Sequence, residues 1–339
     1  MNLICSLKCT VCWAVLAALF FGGSFLFTFW GVQKIIRSQI ISQTALIKDT
    51  DQWDRFLELP FPVSFVVRFF EPINIDGILY NNEKPILNES KPYIYKLYIK
   101  KENLRYDDDE EDSVNYNRNM IFEFDNSSET LDTDEITIIN PVLLASLQLS
   151  NNIERLALAG CLEKLYKPDL KPEIFISVQV KKFLFDGLNF AYANDTDLGV
   201  ACNFVRTKMI SMTADLRNIE HIDEGDGKDY LRFTVFNYKT QNYAKYSPDG
   251  RFTINRGQTD INQLGQIIRW SSGTLSIDGT SLNIWGTRTS INNESCAAIK
   301  GTDSTIYKPQ IEENENIYVY NTDICRYVIT KFYKANYIT

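Results

Sequence analysis

The chain has a single histidine, His221, among its 339 residues. Metal centres built on histidine need several ligands that converge on one ion, so a zinc hydrolase of that kind is excluded. The acidic run at residues 107–112 lacks the spaced ligands and the turn glycine of a calcium loop, and such runs are typical of solvated loops. The sequence therefore predicts neither a metal site nor a cofactor.

Positive charge is also in short supply. Lys and Arg together number 35 against 43 Asp and Glu, which gives a formal net charge of -8. Proteins that bind nucleic acid neutralise phosphates with a stripe of basic side chains. Because no such stripe is present, nucleic acid is excluded as a partner.

No recognisable catalytic constellation occurs in the sequence. The nearest pattern is Asp107 and Asp109, which have the Asp-x-Asp spacing that Golgi glycosyltransferases use to hold a metal-bound nucleotide sugar. A catalytic pair should follow a rigid apolar strand that positions it, whereas this pair lies inside the acidic run. The sequence therefore leaves a single-span Golgi enzyme open as an alternative function but does not favour it. An adhesion or structural membrane module is another alternative.

Long apolar runs are rare, and only residues 11–31, VCWAVLAALFFGGSFLFTFWG, are long enough to cross a bilayer. Trp13 and Trp30 suit the aromatic belts at the two interfaces. A cleaved signal peptide would have a shorter apolar region followed by small residues, but here Gly22 to Ser24 lie inside the run. The sequence predicts a tail at 1–10, an uncleaved transmembrane helix at 11–32 and one large domain at 33–339.

The orientation of this span is left open by local signals. One basic residue precedes the span and three follow it closely, which favours a cytoplasmic large domain. Four glycosylation sequons favour the opposite orientation. They lie at Asn88, Asn126, Asn194 and Asn293.

The large domain is predicted to be α+β with mainly antiparallel pairing. Residues 32–48 have helical spacing, and short apolar runs between polar turns predict strands from residue 61 to about 139 and again after 230. Between them, Asn140 and Pro141 open a predicted helix, and residues 152–166 continue at helical spacing. Residues 172–185 fit either a third helix or a strand. At the end, Cys325 to Phe332 alternate like a half-buried strand.

Four stretches of the sequence share motifs with one family of membrane proteins. Residues 68–95, RFFEPINIDGILYNNEKPILNESKPYIY, are similar to that family's strand, spacer and Glu-x-Gly-Pro-Tyr-x-Tyr pattern, with Glu71 and Lys91 as departures. FTINRGQTDINQLGQIIRW at 252–270 is similar to a second family stretch. ESCAAIKGTDSTIYKP at 294–309 and DICR at 323–326 match two more. The order and spacing of the four make the likeness specific, and together they resemble the class B scavenger receptor family.

The resemblance implies an N-terminal transmembrane helix, a barrel-like antiparallel domain and an inserted helical apex at about 140–187. It places the large domain outside the plasma membrane or in the endolysosomal lumen. It also implies a receptor that binds lipids or lipoproteins and passes lipid toward the bilayer through a tunnel. Family members continue well beyond the position of Thr339 to a second span, so we expect this chain to be incomplete at its C-terminus.

The resemblance also assigns roles to individual residues. Family cysteines that match Cys296 and Cys325 pair with partners further along the chain. A basic residue at the apex receives anionic lipid ligands, and Lys167 and Lys171 are the matching candidates, although lysines near a helix end also complement its dipole.

The remaining cysteines leave alternatives open. An extracellular domain permits disulfides, so Cys161 and Cys202 form either an extra pair or two buried thiols. Cys5, Cys9 and Cys12 lie at the membrane edge, where they are either palmitoylated or unmodified.

Overall fold

The computed structural model describes residues 2–106, 112–166, 169–193, 198–214, 216–240, 249–271, 299–324 and 326–331. Its N-terminus is one continuous helical rod, in which α1 (Asn2–Leu26) passes through a π-helical turn (Phe27–Gly31) into α2 (Val32–Thr44). Within the described ranges, Cys12–Thr44 is the one helix that is long and apolar enough to cross a membrane, and its apolar window is not buried against the rest of the chain.

In the described residues, five further α-helices follow the rod, and three of them begin at a side chain that caps the first turn. Thr50 accepts a hydrogen bond from Trp53 N at the start of α3, and Asn140 accepts one from Leu143 N at the start of α5, as N-cap residues do. The helices are α3 (Asp51–Leu57), α4 (Ile75–Tyr80), α5 (Pro141–Leu149), α6 (Asn152–Leu165) and α7 (Gly199–Thr213).

The described strands pair in antiparallel ladders throughout their named sheets. They are β1 (Val63–Val67), β2 (Phe70–Pro72), β3 (Leu87–Glu89), β4 (Tyr93–Arg105), β5 (Ser113–Phe124), β6 (Glu135–Ile139), β7 (Phe175–Gln179), β8 (Leu188–Phe190), β9 (Ile219–Asp223), β10 (Asp229–Phe233), β11 (Arg251–Asn255), β12 (Ile267–Ser271), β13 (Asn316–Asn321) and β14 (Arg326–Lys331).

The largest sheet has the order β1-β4-β5-β11-β12, and a three-stranded sheet has the order β8-β10-β9. Three further pairs are β2-β3, β6-β7 and β13-β14. Long β4 alternates buried and exposed residues along most of its length, which is the pattern of a strand with one face on a core. The α+β class with antiparallel pairing is confirmed.

Two large apolar clusters fill the domain. One lies under α5, α6 and α7 and includes Tyr166 and Phe190, both fully buried. The other packs Trp53 and Phe56 of α3 against Tyr116, Phe252 and Trp270 of the large sheet. Burial of these aromatic rings is the main favourable contribution to the stability of each cluster.

Two expectations differ from the structure, and one open alternative is settled. The barrel is not closed in the described part, where β1 and β12 lie at opposite edges of the large sheet. The segment that fits either helix or strand contains strand β7, which pairs with β6, followed by a π-helical turn (Lys182–Asp186). Strand β14 is not half-buried, because five of its six residues are exposed and the other is only partly covered.

Candidate functional site

Helices α5 and α6 are joined by a tight turn, and each of them begins at a capping side chain. The Asn140 side chain caps α5 and also donates from Nδ2 to the carbonyls of Lys171 and Glu173, at 3.1 and 3.2 Å. Asn151 and Glu154 form a reciprocal capping box at the start of α6, which satisfies backbone donors that the helix itself leaves free. The Asn140 side chain thus ties the start of α5 to the loop that follows α6.

Helix α7 packs antiparallel to α6 and is joined to it at two points. Cys161 and Cys202 form a disulfide, which is the paired alternative for these two residues. Near the other end, Lys208 Nζ lies 3.7 Å from Glu154 Oε1. Because the early residue of α6 meets the late residue of α7, the two helices run in opposite directions.

An apolar cleft opens between α5, α6 and α7, with a volume of about 110 Å³. Its floor is formed by the buried side chains of Leu158, Phe190 and Val205. Its mouth carries large apolar side chains that face solvent, since Ile153 is 81% exposed and Phe204 71%. An apolar cavity with an apolar rim is typical of a site for hydrophobic ligands.

The hydroxyl groups that line the cleft are bonded to the helices themselves. Ser146 Oγ donates to the Val142 carbonyl at 2.7 Å, and Ser150 Oγ donates to the Ser146 carbonyl at 2.6 Å. Thr213 Oγ1 donates to the Met209 carbonyl at 2.8 Å. Since each donor already has a backbone acceptor, these hydroxyls have no proton left to donate to a ligand.

A polar cluster anchors α7 to the neighbouring sheet. Arg206 Nε donates to the Ala191 carbonyl at 2.6 Å, and its guanidinium also binds the carboxylate of Asp229 on β10. His221 Nε2 lies 2.6 Å from the same carboxylate. Burial raises the pKa of Asp229, but the hydrogen bonds from His221 and Arg206 outweigh it and hold the pKa below its usual value.

A second cavity, of about 680 Å³, lies beside β4 and β5. Phe122, Phe124 and Phe185 line it together with charged residues such as Asp132 and Lys181. Its lining is about as polar as it is apolar, so the cleft between the helices is the better site for a hydrophobic molecule.

A fully buried network of charges joins the large sheet to the segments that follow it. Arg118 on β5 binds the Asp249 carboxylate and donates to the Asp303 carbonyl at 2.7 Å, while Tyr116 Oη donates to Asp303 Oδ2 at 2.7 Å. Lys101 donates to the Phe56 carbonyl at 2.9 Å. Burial raises the pKa of both aspartates, but the nearby cations outweigh it and hold these pKa values below the usual range.

A model of the CD36 family matches residues 14–339. The chain belongs to the CD36 family. The resemblance to class B scavenger receptors is thereby confirmed.

Insect sensory neuron membrane proteins are among the similar CD36-family proteins. Sensory neuron membrane protein 2 of Heliothis virescens is 29% identical over 325 residues, which cover 91% of this chain and 56% of the relative. Sensory neuron membrane protein 1 of Apis mellifera is 30% identical over 305 residues, which cover 88% of this chain and 52% of the relative. Sensory neuron membrane protein 2 of Anopheles gambiae is 26% identical over 376 residues, which cover 96% of this chain and 60% of the relative. The chain thus spans little more than half the length of these relatives.

The stretches that carry the CD36-family likeness are structural in this fold. Asp303 belongs to the buried network, and Trp270 is buried and donates from Nε1 to the Asp249 carbonyl at 3.0 Å. Gly301 has a φ of +94°, and a Cβ there would lie 1.9 Å from the Tyr318 carbonyl oxygen. Only glycine fits such a close approach of two backbones.

Of the two candidate lysines of this CD36-family member, the structure describes only Lys171, and it does not bring that residue into the cleft. Lys171 is exposed in the loop after α6 and is absent from the lining of the cleft, and Lys167 lies outside the described residues. Asp107 and Asp109 of the alternative enzyme also lie outside them. Within the described ranges, no group of three or more His, Cys, Asp or Glu side chains could hold a metal ion.

The sequons and the remaining cysteines stay predictions. Asn88 on β3 and Asn126 in the turn after β5 are both exposed, whereas Asn194 and Asn293 fall outside the described residues. Cys296 and Cys325 fall outside them as well. Cys5, Cys9 and Cys12 lie on α1, and Cys12 is an exposed free thiol.

Sequence reasoning missed α7 and the buried network. The helix had a detectable signal, because Cys202, Val205, Met209 and Met212 recur at spacings of three and four residues. The network had none, since Arg118 and Asp303 are 185 residues apart.

Proposed function

We propose that this chain is a membrane receptor that binds a hydrophobic ligand in the cleft between α5, α6 and α7. The observation that carries the proposal is the cleft itself, whose surface is mainly apolar and which opens through an exposed apolar rim. Membership of the CD36 family and the apolar helix Cys12–Thr44 support an integral membrane protein. The binding step needs no bond chemistry.

In this proposal the large domain lies outside the plasma membrane or in the endolysosomal lumen. The first residues then lie in the cytoplasm, and α5, α6 and α7 form the apex that receives lipid or lipoprotein ligands. Lipid released from the cleft would pass along the apolar interior under these helices toward the bilayer. The name of the relatives, sensory neuron membrane protein, supports a membrane position for this chain too.

Lys167 and Lys171 are proposed to act outside the cleft. Lys171 is exposed and does not line the cavity, so it cannot fix a head group there. On a chain of net charge -8, two such lysines would speed the approach of a negatively charged lipid particle.

Photolabelling of the full chain in lipid discs tests the cleft. The probe is a dodecan-1-ol that carries a diazirine on its chain, and labelled peptides are identified by mass spectrometry. We expect labels on α5, α6 and α7. Ala157 and Ala159 are both exposed on α6, but only Ala157 lines the cleft, so Ala157→Trp and Ala159→Trp form a matched pair.

Ala157→Trp should reduce specific labelling by about tenfold or more. Loss of roughly 55 Å² of buried apolar contact corresponds to about 1.4 kcal/mol, which is a factor of ten. Ala159→Trp should leave labelling unchanged. Labels elsewhere, or equal labelling of both variants, would show that the cleft is not the binding site.

A further inference from the structure

We infer that the cleft accepts the alkyl end of an uncharged amphiphile, with Glu154 and Lys208 acting together to disfavour ligands whose head group carries a charge of either sign. This inference rests on the proposed function and adds the chemical class of the ligand. Three features carry it: the size of the cavity, the hydroxyls on its wall and the ion pair at its mouth.

The size of the cavity decides how the ligand enters. An apolar cavity of about 150 Å³ holds one benzene molecule, so a cleft of about 110 Å³ holds a short alkyl segment and not a whole lipid. The remainder of a longer chain would lie over the exposed side chains of Ile153 and Phe204. The polar head of the ligand therefore stays at the mouth.

Among the described residues, the hydroxyls on the walls of the cleft offer no free hydrogen-bond donor to a head group that enters. The hydroxyl groups of Ser146, Ser150 and Thr213 each donate to the backbone carbonyl four residues earlier in the chain. Ser146 Oγ also accepts from Tyr166 Oη at 2.9 Å. A charged group that entered would lose its hydration without gaining a donor in exchange, which costs several kcal/mol.

The charges at the mouth cancel each other. Among the described residues, Glu154 and Lys208 are the two charged ones that line the cleft, and their charged atoms lie 3.7 Å apart. Glu154 also accepts from Asn151 N at 2.9 Å, so its position is fixed by the capping box. A carboxylate head would be attracted by Lys208 and repelled by Glu154, and an ammonium head would meet the reverse. An uncharged head leaves the pair intact.

The test compares three unlabelled competitors of equal chain length in the photolabelling assay: dodecan-1-ol, dodecanoate and dodecylammonium. Each is titrated against the diazirine probe on the full chain in identical lipid discs. Partition of each competitor into the lipid is the same for every protein variant. A change between variants in the relative affinities of the competitors therefore reports the binding site alone. Glu154→Gln retains the capping box, since Gln serves at that position, and Lys208→Met retains the length of the side chain.

In the natural chain, we expect dodecan-1-ol to compete best. Glu154→Gln leaves Lys208 without its partner, so dodecanoate should gain on the order of tenfold relative to the alcohol, as expected for a charge-assisted hydrogen bond of about 1.5 kcal/mol. Lys208→Met should instead favour dodecylammonium by a similar factor. The affinity of the alcohol should change less between the three proteins than the affinity of either charged competitor.

Two outcomes would overturn the inference. If dodecanoate competes better than the alcohol and Lys208→Met removes that advantage, then Lys208 is a receiver of anions. If the relative affinities of the three competitors are the same in every variant, the head group does not reach the ion pair. In either case Ala157→Trp would still weaken all three competitors, whereas a failure of the proposed function would leave them unaffected by that change.

Discussion

The guanidinium of Arg118 and the carboxylate of Asp249 form an ion pair in which neither side chain is appreciably exposed, with Arg118 Nε 2.9 Å from Asp249 Oδ2. The pair joins the centre of β5 to the segment that precedes β11. Thr322 donates to the same carboxylate, and Lys239 Nζ lies 3.5 Å from it. One carboxylate thus links four separate parts of the chain.

Replacement of Arg118 should test how much the fold depends on this pair. Arg118→Met removes the main partner of a buried aspartate, and loss of one member of a buried pair costs about 3–5 kcal/mol. We expect the free energy of unfolding in urea to fall by that amount. Lys181→Met, which breaks the exposed pair of Lys181 and Asp186, is the control and should cost less than about 1 kcal/mol. Similar losses in both variants would contradict the prediction.

Lys101 should make stability rise with pH in the alkaline range. Burial lowers the pKa of Lys101 to about 8 from its ordinary 10.5, against the opposing attraction of Asp303. Between these two values the unfolded chain binds more protons than the folded chain, so the free energy of unfolding increases as the pH rises from about 8 toward 10.

Urea unfolding of the natural chain and of Lys101→Met at a series of pH values measures this effect. The rise should be present in the natural chain and absent from the variant, whatever the overall loss of stability in the variant. A rise of equal slope in both proteins would show that Lys101 is not its source. Above pH 10 the free energy of unfolding should fall in both proteins. Burial raises the pKa of Tyr116 above its ordinary value, so this tyrosine loses its proton in the unfolded chain before it does so in the folded chain.

The disulfide between Cys161 and Cys202 should contribute measurably to stability. It closes a loop with a sequence separation of 41 residues, and disulfides of this kind stabilise by about 2–4 kcal/mol. We expect the double variant Cys161→Ala/Cys202→Ala to lose that amount in unfolding experiments without reductant. Cys12→Ala is the control, since Cys12 is an exposed thiol. If reduction of the natural chain changes nothing, the two thiols are not paired in the protein.

Glycosylation reports the orientation of the chain in the membrane. If the large domain is outside, the exposed Asn88 and Asn126 are available as acceptors, and glycosidase should increase the electrophoretic mobility of chain expressed in insect cells. Asn88→Gln and Asn126→Gln should each remove one step of that shift. An unshifted chain whose large domain is cut by protease from the cytoplasmic side would reverse the orientation.

Local patterns predicted those elements whose signal lies within one segment. Asn140 and Pro141 marked the start of α5, and short apolar runs between polar turns marked strands in the region of β4 and β5. The boundary between helix and strand at 172–185 could not be decided from sequence, because β7 is set by its pairing with β6 about 40 residues earlier. The periodicity of a segment can be seen in its own residues, whereas the strand with which it pairs depends on residues elsewhere in the chain.

The cleft was beyond sequence reasoning for a related reason. Its walls come from α5, α6 and α7, and the third wall begins at Gly199, outside the four stretches that carry the family likeness. The Glu154 and Lys208 pair depends on the packing of two helices that the disulfide also joins. Tertiary contacts of this kind appear only once the helices are placed.

The final prediction concerns Lys167 and Lys171. If they speed the approach of anionic particles, Lys167→Ala/Lys171→Ala should slow the transfer of labelled dodecan-1-ol from negatively charged vesicles to the chain. We expect a reduction of roughly two- to fivefold at 0.01 M salt, where the Debye length is about 30 Å, and little effect at 0.15 M, where it is about 8 Å.

Two controls separate this role from a general effect of charge. Lys84→Ala/Lys331→Ala removes the same charge at two exposed sites on other elements, and it should slow transfer less. Transfer from uncharged zwitterionic vesicles should be unaffected in both double variants, since no long-range attraction acts there. If both variants slow transfer equally, or if salt has no influence, the lysines have no role in capture, and the cationic end of α6 serves only to complement the helix dipole.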